Sequence, residues 1–114
     1  DDESILVNPT CVRIPVFYGH GEAIHVETEE PITRDKALEL LNKAPGVCVI
    51  DQKDPIDFPT AVRDSAGKDS VFVGRVRQDI STDRGLSMWI VSDNVRKGAA
   101  LNSVQIAELL KDYL

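Results

Sequence analysis

Leu86-Ser87-Met88-Trp89-Ile90-Val91-Ser92 reads as a strand with two apolar faces. Side chains alternate across a strand, so Trp89 and Val91 share one face while Leu86, Met88 and Ile90 share the other. A strand apolar on both sides belongs in the middle of a sheet, with cover above and below. Val71-Phe72-Val73-Gly74-Arg75-Val76-Arg77-Gln78 is the next strand outward. The turn signal Thr82-Asp83-Arg84-Gly85 between the two predicts a hairpin.

The flanking segments fill out the fold. Residues 11–17 read as a first strand, in which Pro15 forces Ile14 into an extended conformation and marks an edge or an irregularity. Residues 22–29 alternate, with Ile24 and Val26 on one face and Ala23, His25 and Glu27 on the other, so His25 is a solvated strand residue. Pro31-Ile32-Thr33 leads into a helix over 33–44, capped by Thr33, with Asp35 in its first turn. Ala37, Leu38, Leu41 and Ala44 make its apolar stripe, and Pro45-Gly46 stops it. Val47–Ile50 is a short apolar strand, 51–60 an Asp- and Pro-rich surface loop facing a partner subunit, and Ala61-Val62 an extended piece before a turn at 66–69. Asp93 or Asn94 caps a final helix from about 95 to the end, where Ala99, Ala100, Ile106, Ala107, Leu110 and Tyr113 fall on adjoining faces. The fold class is α+β: one domain over 1–114, with a mixed, largely antiparallel sheet and helices packed on it.

A chain of 114 residues suits one such domain. A net charge of −6 argues against nucleic-acid or membrane-surface partners. Arg75/Arg77 and Arg96/Lys97 are basic pairs among acidic neighbours, and Arg75 and Arg77 read as salt-bridge partners at a subunit interface rather than phosphate ligands. No run approaches the roughly 20 apolar residues of a membrane span and no signal-peptide pattern opens the chain, so a cytoplasmic protein is expected. Asp1-Asp2-Glu3-Ser4 reads as a solvated lead-in. Cys11 and Cys48 lie in apolar runs and are expected to be buried free thiols. No metal site is expected.

The candidate chemistry sits in Cys11-Val12-Arg13-Ile14-Pro15-Val16-Phe17-Tyr18-Gly19-His20-Gly21-Glu22. Arginine supplies a planar fork for a carboxylate, and histidine carries protons at neutral pH. On a straight strand, seven steps of roughly 3.3 Å would part Arg13 from His20 by about 23 Å. Gly19 and Gly21 permit a sharp turn that brings His20 back toward Arg13. The residues alone favour a strand-end turn with a surface histidine and a charge-paired arginine.

That segment resembles the substrate-binding segment of aspartate-semialdehyde dehydrogenases. Val-Phe-Val-Gly-Arg-Val-Arg-Gln-Asp at 71–79 and Met-Trp-Ile-Val-Ser-Asp-Asn-Val-Arg-Lys-Gly-Ala-Ala-Leu-Asn-Ser-Val-Gln-Ile-Ala-Glu at 88–108 resemble it too, in the family's order. The last block is long and unusual, which makes the match specific. The resemblance implies a fold like the C-terminal domain of glyceraldehyde-3-phosphate dehydrogenases. It also implies NADP as cofactor, a homodimer, and reductive dephosphorylation of L-aspartyl 4-phosphate to L-aspartate 4-semialdehyde and phosphate. In the family a cysteine thiolate displaces phosphate to form a thioester, which hydride then reduces. Arg13 matches the arginine that binds the substrate carboxylate, His20 the acid/base, and Asn94 the residue that hydrogen-bonds the nicotinamide carboxamide. Locally Asn94 reads equally well as a helix cap. The family's nucleotide-binding fold and catalytic cysteine have no counterpart here, so the chain by itself is expected to be inactive. Its final helix, 95–114, is expected to pack on that absent part. A Glu and a Lys that family members use upstream of the matched region cannot be placed in residues 1–8.

Two other readings stand beside this one. A non-catalytic paralogue would share the fold as a dimeric binding or structural protein, but a core needs neither Arg13 nor His20. A Cys11/His20 hydrolase would need an orienting third group and an oxyanion motif, and neither is visible.

Overall fold

A four-stranded sheet carries the fold, in the order β1 (His20–Glu27), β4 (Gly85–Ser92), β3 (Val71–Gln78), β2 (Val47–Val49). The structure is a computed structural model that describes residues 2–51, 56–111 and 113. The expected lead-in at Asp1, part of the expected loop (52–55) and two terminal residues of the expected last helix (112 and 114) lie outside the described residues. β1 and β3 flank β4 antiparallel, and β2 joins β3 parallel, so the sheet is mixed and largely antiparallel as the patterning predicts. The apolar strand is the central one.

One face is covered by α1 (Arg34–Lys43), which begins where Thr33 accepts the Lys36 N–H at 3.2 Å. Ala37 of α1 is buried against Val73, Val76 and Leu86, with Leu38, Leu41, Met88 and Ile90 packed around them. Strict alternation would not place Val73 and Val76 together. A bulge between Gly74 and Arg77, with Arg75 at φ 55°, inserts the extra residue that turns Val76 inward. Arg34 and Asp51 grip this bulge. Asp51 Oδ2 accepts the Val76 N–H at 3.0 Å, Arg34 Nε donates to the Val76 carbonyl at 2.8 Å, and Arg34 Nη2 reaches Asp51 Oδ2 at 3.2 Å.

The other face is covered by residues 58–65. Trp89 Nε1 donates to the Pro59 carbonyl at 2.9 Å, and Pro59 and Val91 are fully buried. A side chain on Gly74 would overlap Ile50 O and Pro59 Cδ. Ala61–Ser65 is a single π-helical turn, not the extended piece expected there. Thr60 and Asp64 close it reciprocally: Asp64 Oδ2 accepts the Thr60 N–H at 2.6 Å, while the Thr60 hydroxyl accepts the Arg63 N–H at 3.3 Å. This capping outweighs the extended preference of two apolar residues.

Three further expectations fail for want of a partner or through strand orientation. Residues 11–17 form no strand and are exposed, Arg13 and Phe17 included, because no edge among the described residues pairs with them and Pro15 has no N–H to give. The Val16 N–H closes on Ile14 O at 2.9 Å in a tight turn over that proline. Cys11 is therefore exposed rather than buried, and Cys48 on β2 faces solvent as well; both are free thiols. The loop after β2 is less superficial than expected, since the Asp51 side chain is 8 % exposed and Pro59 is buried.

After β4 a π-helical turn (Arg96–Ala100) runs into α2 (Leu101–Lys111). Asp93 starts it: Oδ1 accepts from the Val95 and Arg96 amides at 2.9 and 3.0 Å, and Oδ2 from the Gly67 amide at 2.7 Å. No residue of α2 is buried, and Val104, Ile106, Leu109 and Leu110 are exposed.

Candidate functional site

His20 opens β1 directly after Gly19, whose φ of +81° turns the chain as expected. A side chain at Gly19 would also strike Ala61, 2.7 Å from its Cβ. Gly21 serves a different purpose from the one expected. It lies within the strand, and a Cβ there would stand 2.6 Å from Trp89 Cη2, so the missing side chain is the seat of the indole. The double glycine thus makes one turn and one aromatic seat.

The β1–β4 register sets His20 opposite Ser92, at the end of the central strand. Asp93 and Asn94 follow at once, so His20 and Asn94 come to the same end of the sheet. Asp93 takes the capping role, which leaves the exposed Asn94 amide without a hydrogen-bond partner among the described residues. The three amides that converge on Asp93, the Gly67 N–H foremost, hold its carboxyl below the usual carboxylate range. Arg13 is not drawn to this end by any hydrogen bond or ion pair among the described residues. Sequence reasoning missed Glu22, which stands 3.0 Å from His20 by its Oε1 to Nε2. Period-two alternation was the available signal, because residues 20 and 22 of one strand share a face.

On the Trp89 face an open apolar hollow of about 830 Å³ is bordered by Ile14, Val16, Ala23, Pro59 and Trp89. Arg75 lies at its rim with its guanidinium 4.7 Å from the Phe58 ring centroid. His25 is exposed on β1, and its Nδ1 is 2.8 Å from Ser87 Oγ. No three His, Cys, Asp or Glu side chains gather at metal-binding distance among the described residues. No helix among the described residues is long and apolar enough to cross a membrane.

A family model described as semialdehyde dehydrogenase, dimerisation domain, matches residues 1–97. The chain belongs to this family. Among the relatives of this dimerisation domain, the aspartate-semialdehyde dehydrogenase of Legionella pneumophila is 59% identical over 97% of the chain. Aspartate-semialdehyde dehydrogenase 2 of Vibrio cholerae is 59% identical over 99% of it. The chain spans about a third of the length of these relatives, 32% and 33%. The crystal structure of aspartate semialdehyde dehydrogenase II from Vibrio cholerae complexed with ASA superimposes with a TM-score of 0.90. It shares 58% identity, covering 99% of this chain and 33% of that one. The resemblance read from the three sequence blocks is therefore to the right family, and the mixed α+β fold of its dimerisation domain is the one found here.

Proposed function

We propose that this chain is the substrate-binding and dimerisation portion of an NADP-dependent aspartate-semialdehyde dehydrogenase, a cytoplasmic homodimer. Its reaction would be the reductive dephosphorylation of L-aspartyl 4-phosphate to L-aspartate 4-semialdehyde, as part of lysine (through diaminopimelate), threonine and methionine biosynthesis. The observation that carries this reading is the 59% identity, over nearly the whole of this chain, to a third of each of two enzymes of that name. The convergence of His20 and Asn94 at one end of β1 and β4 agrees with it.

In this reading Arg13 binds the substrate carboxylate through two guanidinium N–H donors, fixing its position and orientation. The exposed segment 11–17 leaves the Arg13 side chain accessible to a ligand. His20 moves the proton at the reacting centre. Asn94, with its amide released from capping, has the donor and acceptor that match a carboxamide, so it would hold the nicotinamide end of NADP. Bound there, the cofactor supplies hydride. The cysteine nucleophile and the nucleotide-binding fold come from the remainder of the full-length protein. The Trp89 face, with its hollow, meets the second copy.

Steady-state kinetics of the full-length enzyme test the assignment. Arg13→Lys should lose substrate binding and turnover although the charge is kept, because an ammonium cannot form the fork. His20→Ala should depress turnover more than cofactor binding. Equal, small effects from both substitutions would mean structural roles only.

A further inference from the structure

We propose that Glu22 is a positioning residue for His20, holding the imidazole by Nε2 so that Nδ1 is the nitrogen presented to the reacting atoms. The inference rests on the assignment of His20 as the acid/base. Glu22 Oε1 stands 3.0 Å from His20 Nε2, and Nδ1 has no hydrogen-bond partner among the described residues. A neutral imidazole carries one N–H and one lone pair, while an ionised carboxylate only accepts. Glu22 therefore selects the tautomer with its proton on Nε2 and leaves the lone pair on Nδ1. A histidine with neither nitrogen engaged would rotate about χ2 and populate both tautomers. A general base has to offer one lone pair in one direction.

The backbone beneath the pair is held firmly. Residues 20–27 are laddered to β4, and Gly21, between the two side chains, is pressed against the Trp89 indole. The indole in turn is tied to Pro59. Because His20 and Glu22 leave the same face of one strand, the pair forms without any long-range adjustment. Both side chains are about half exposed, 57% and 50%, so the contact adds little to stability. Its consequence is orientation. A proton accepted at Nδ1 leaves an imidazolium whose Nε2–H stays on Glu22, and returning the proton from Nδ1 restores the starting tautomer.

The test is a double-mutant cycle on the full-length enzyme. Glu22→Ala should lower kcat about tenfold with KM for the aspartyl phosphate changed by less than about twofold, and Glu22→Asp should recover part of the loss. Added to His20→Ala, the same substitution should cost nothing more, because Glu22 acts through the imidazole. If Glu22→Ala does not fold, the isosteric Glu22→Gln takes its place, with a smaller fall in kcat. An unchanged kcat in the Glu22 variant while His20→Ala is inactive overturns this proposal alone. So does an equal fold-loss from Glu22→Ala with and without His20. A fully active His20→Ala removes the assignment of His20, and this inference with it.

Discussion

Gly21 lies beneath the indole of Trp89: a Cβ on Gly21 would stand 2.6 and 2.7 Å from Cη2 and Cζ2 of the ring. Trp89 cannot yield easily, since its Nε1 is hydrogen-bonded to Pro59 O and its strand is laddered on both sides. Gly21→Ala should therefore destabilise the chain by about 1–3 kcal/mol through overpacking. Urea titration with tryptophan fluorescence reads both the midpoint and the indole environment. An unchanged midpoint would mean that the ring moves freely.

Asp51 and Arg34 form a bracket around the Val76 peptide, and that bracket keeps the bulge that turns Val76 into the core. Asp51→Ala leaves the Val76 N–H unpaired in a part-buried setting and removes one of the partners of Arg34. The cost should be about 1–3 kcal/mol, with accelerated amide exchange confined first to 74–78. Asp51→Asn, which keeps an acceptor for the amide, should recover part of it. Equal losses from both variants would assign the effect to the charge pair and not to the bulge.

Asp93 gives the fold a dependence on acid. Its carboxyl is held below the usual range by the amides of Gly67, Arg96 and Val95. A group depressed in the folded state contributes its full stability above the unfolded value of 3.8 and loses it as pH falls through the lower folded value. Denaturant midpoints should therefore drop on acidification below about pH 4. Asp93→Asn should lower stability at neutral pH and flatten that acid limb. An acid limb as steep in Asp93→Asn as in the parent would exclude Asp93 as its source.

The elements legible in the sequence are those whose partners lie in the chain. Two-faced apolar patterning at 86–92 marks the central strand and Thr33 the start of α1, while the sequence leaves the last cap open between Asp93 and Asn94 and the structure gives it to Asp93. His20 and Asn94 were named from three sequence blocks, but their meeting at one sheet end follows from the register opposite Ser92, which no periodicity encodes. Residues 11–17 have strand composition and no strand, because pairing is a property of two segments and not of one. The Gly21–Trp89 seat joins residues far apart in the chain and carries no local signal. The π turn at 61–65 did have one, the threonine and aspartate at 60 and 64, which compete with extended backbone.

The last prediction concerns what covers the two remaining apolar surfaces. α1 and residues 58–65 leave the hollow at Ile14, Ala23 and Trp89 open, on the sheet face opposite α1. The family is described as a dimerisation domain, and every residue bordering that hollow falls within the matched 1–97. A second copy seated there would close both hollows by symmetry, since a two-fold interface uses the same patch on each side. Light scattering should then report a dimer, and Ala23→Arg, a change at an exposed site, should yield a folded monomer. A parent chain that stays monomeric at high micromolar concentration would refute this face as the contact. α2 presents the other surface, with Val104, Ile106, Leu109 and Leu110 exposed and the turn before it as its main neighbour among the described elements. Such a helix should open at little cost, so amides in 101–111 should exchange well before those of 86–92, in monomer and dimer alike. Restoring the rest of the full-length protein should slow exchange in 101–111 if α2 packs on the nucleotide-binding part. Protection of α2 that appears on dimerisation, and is unchanged by the full-length context, would place that helix in the subunit interface instead.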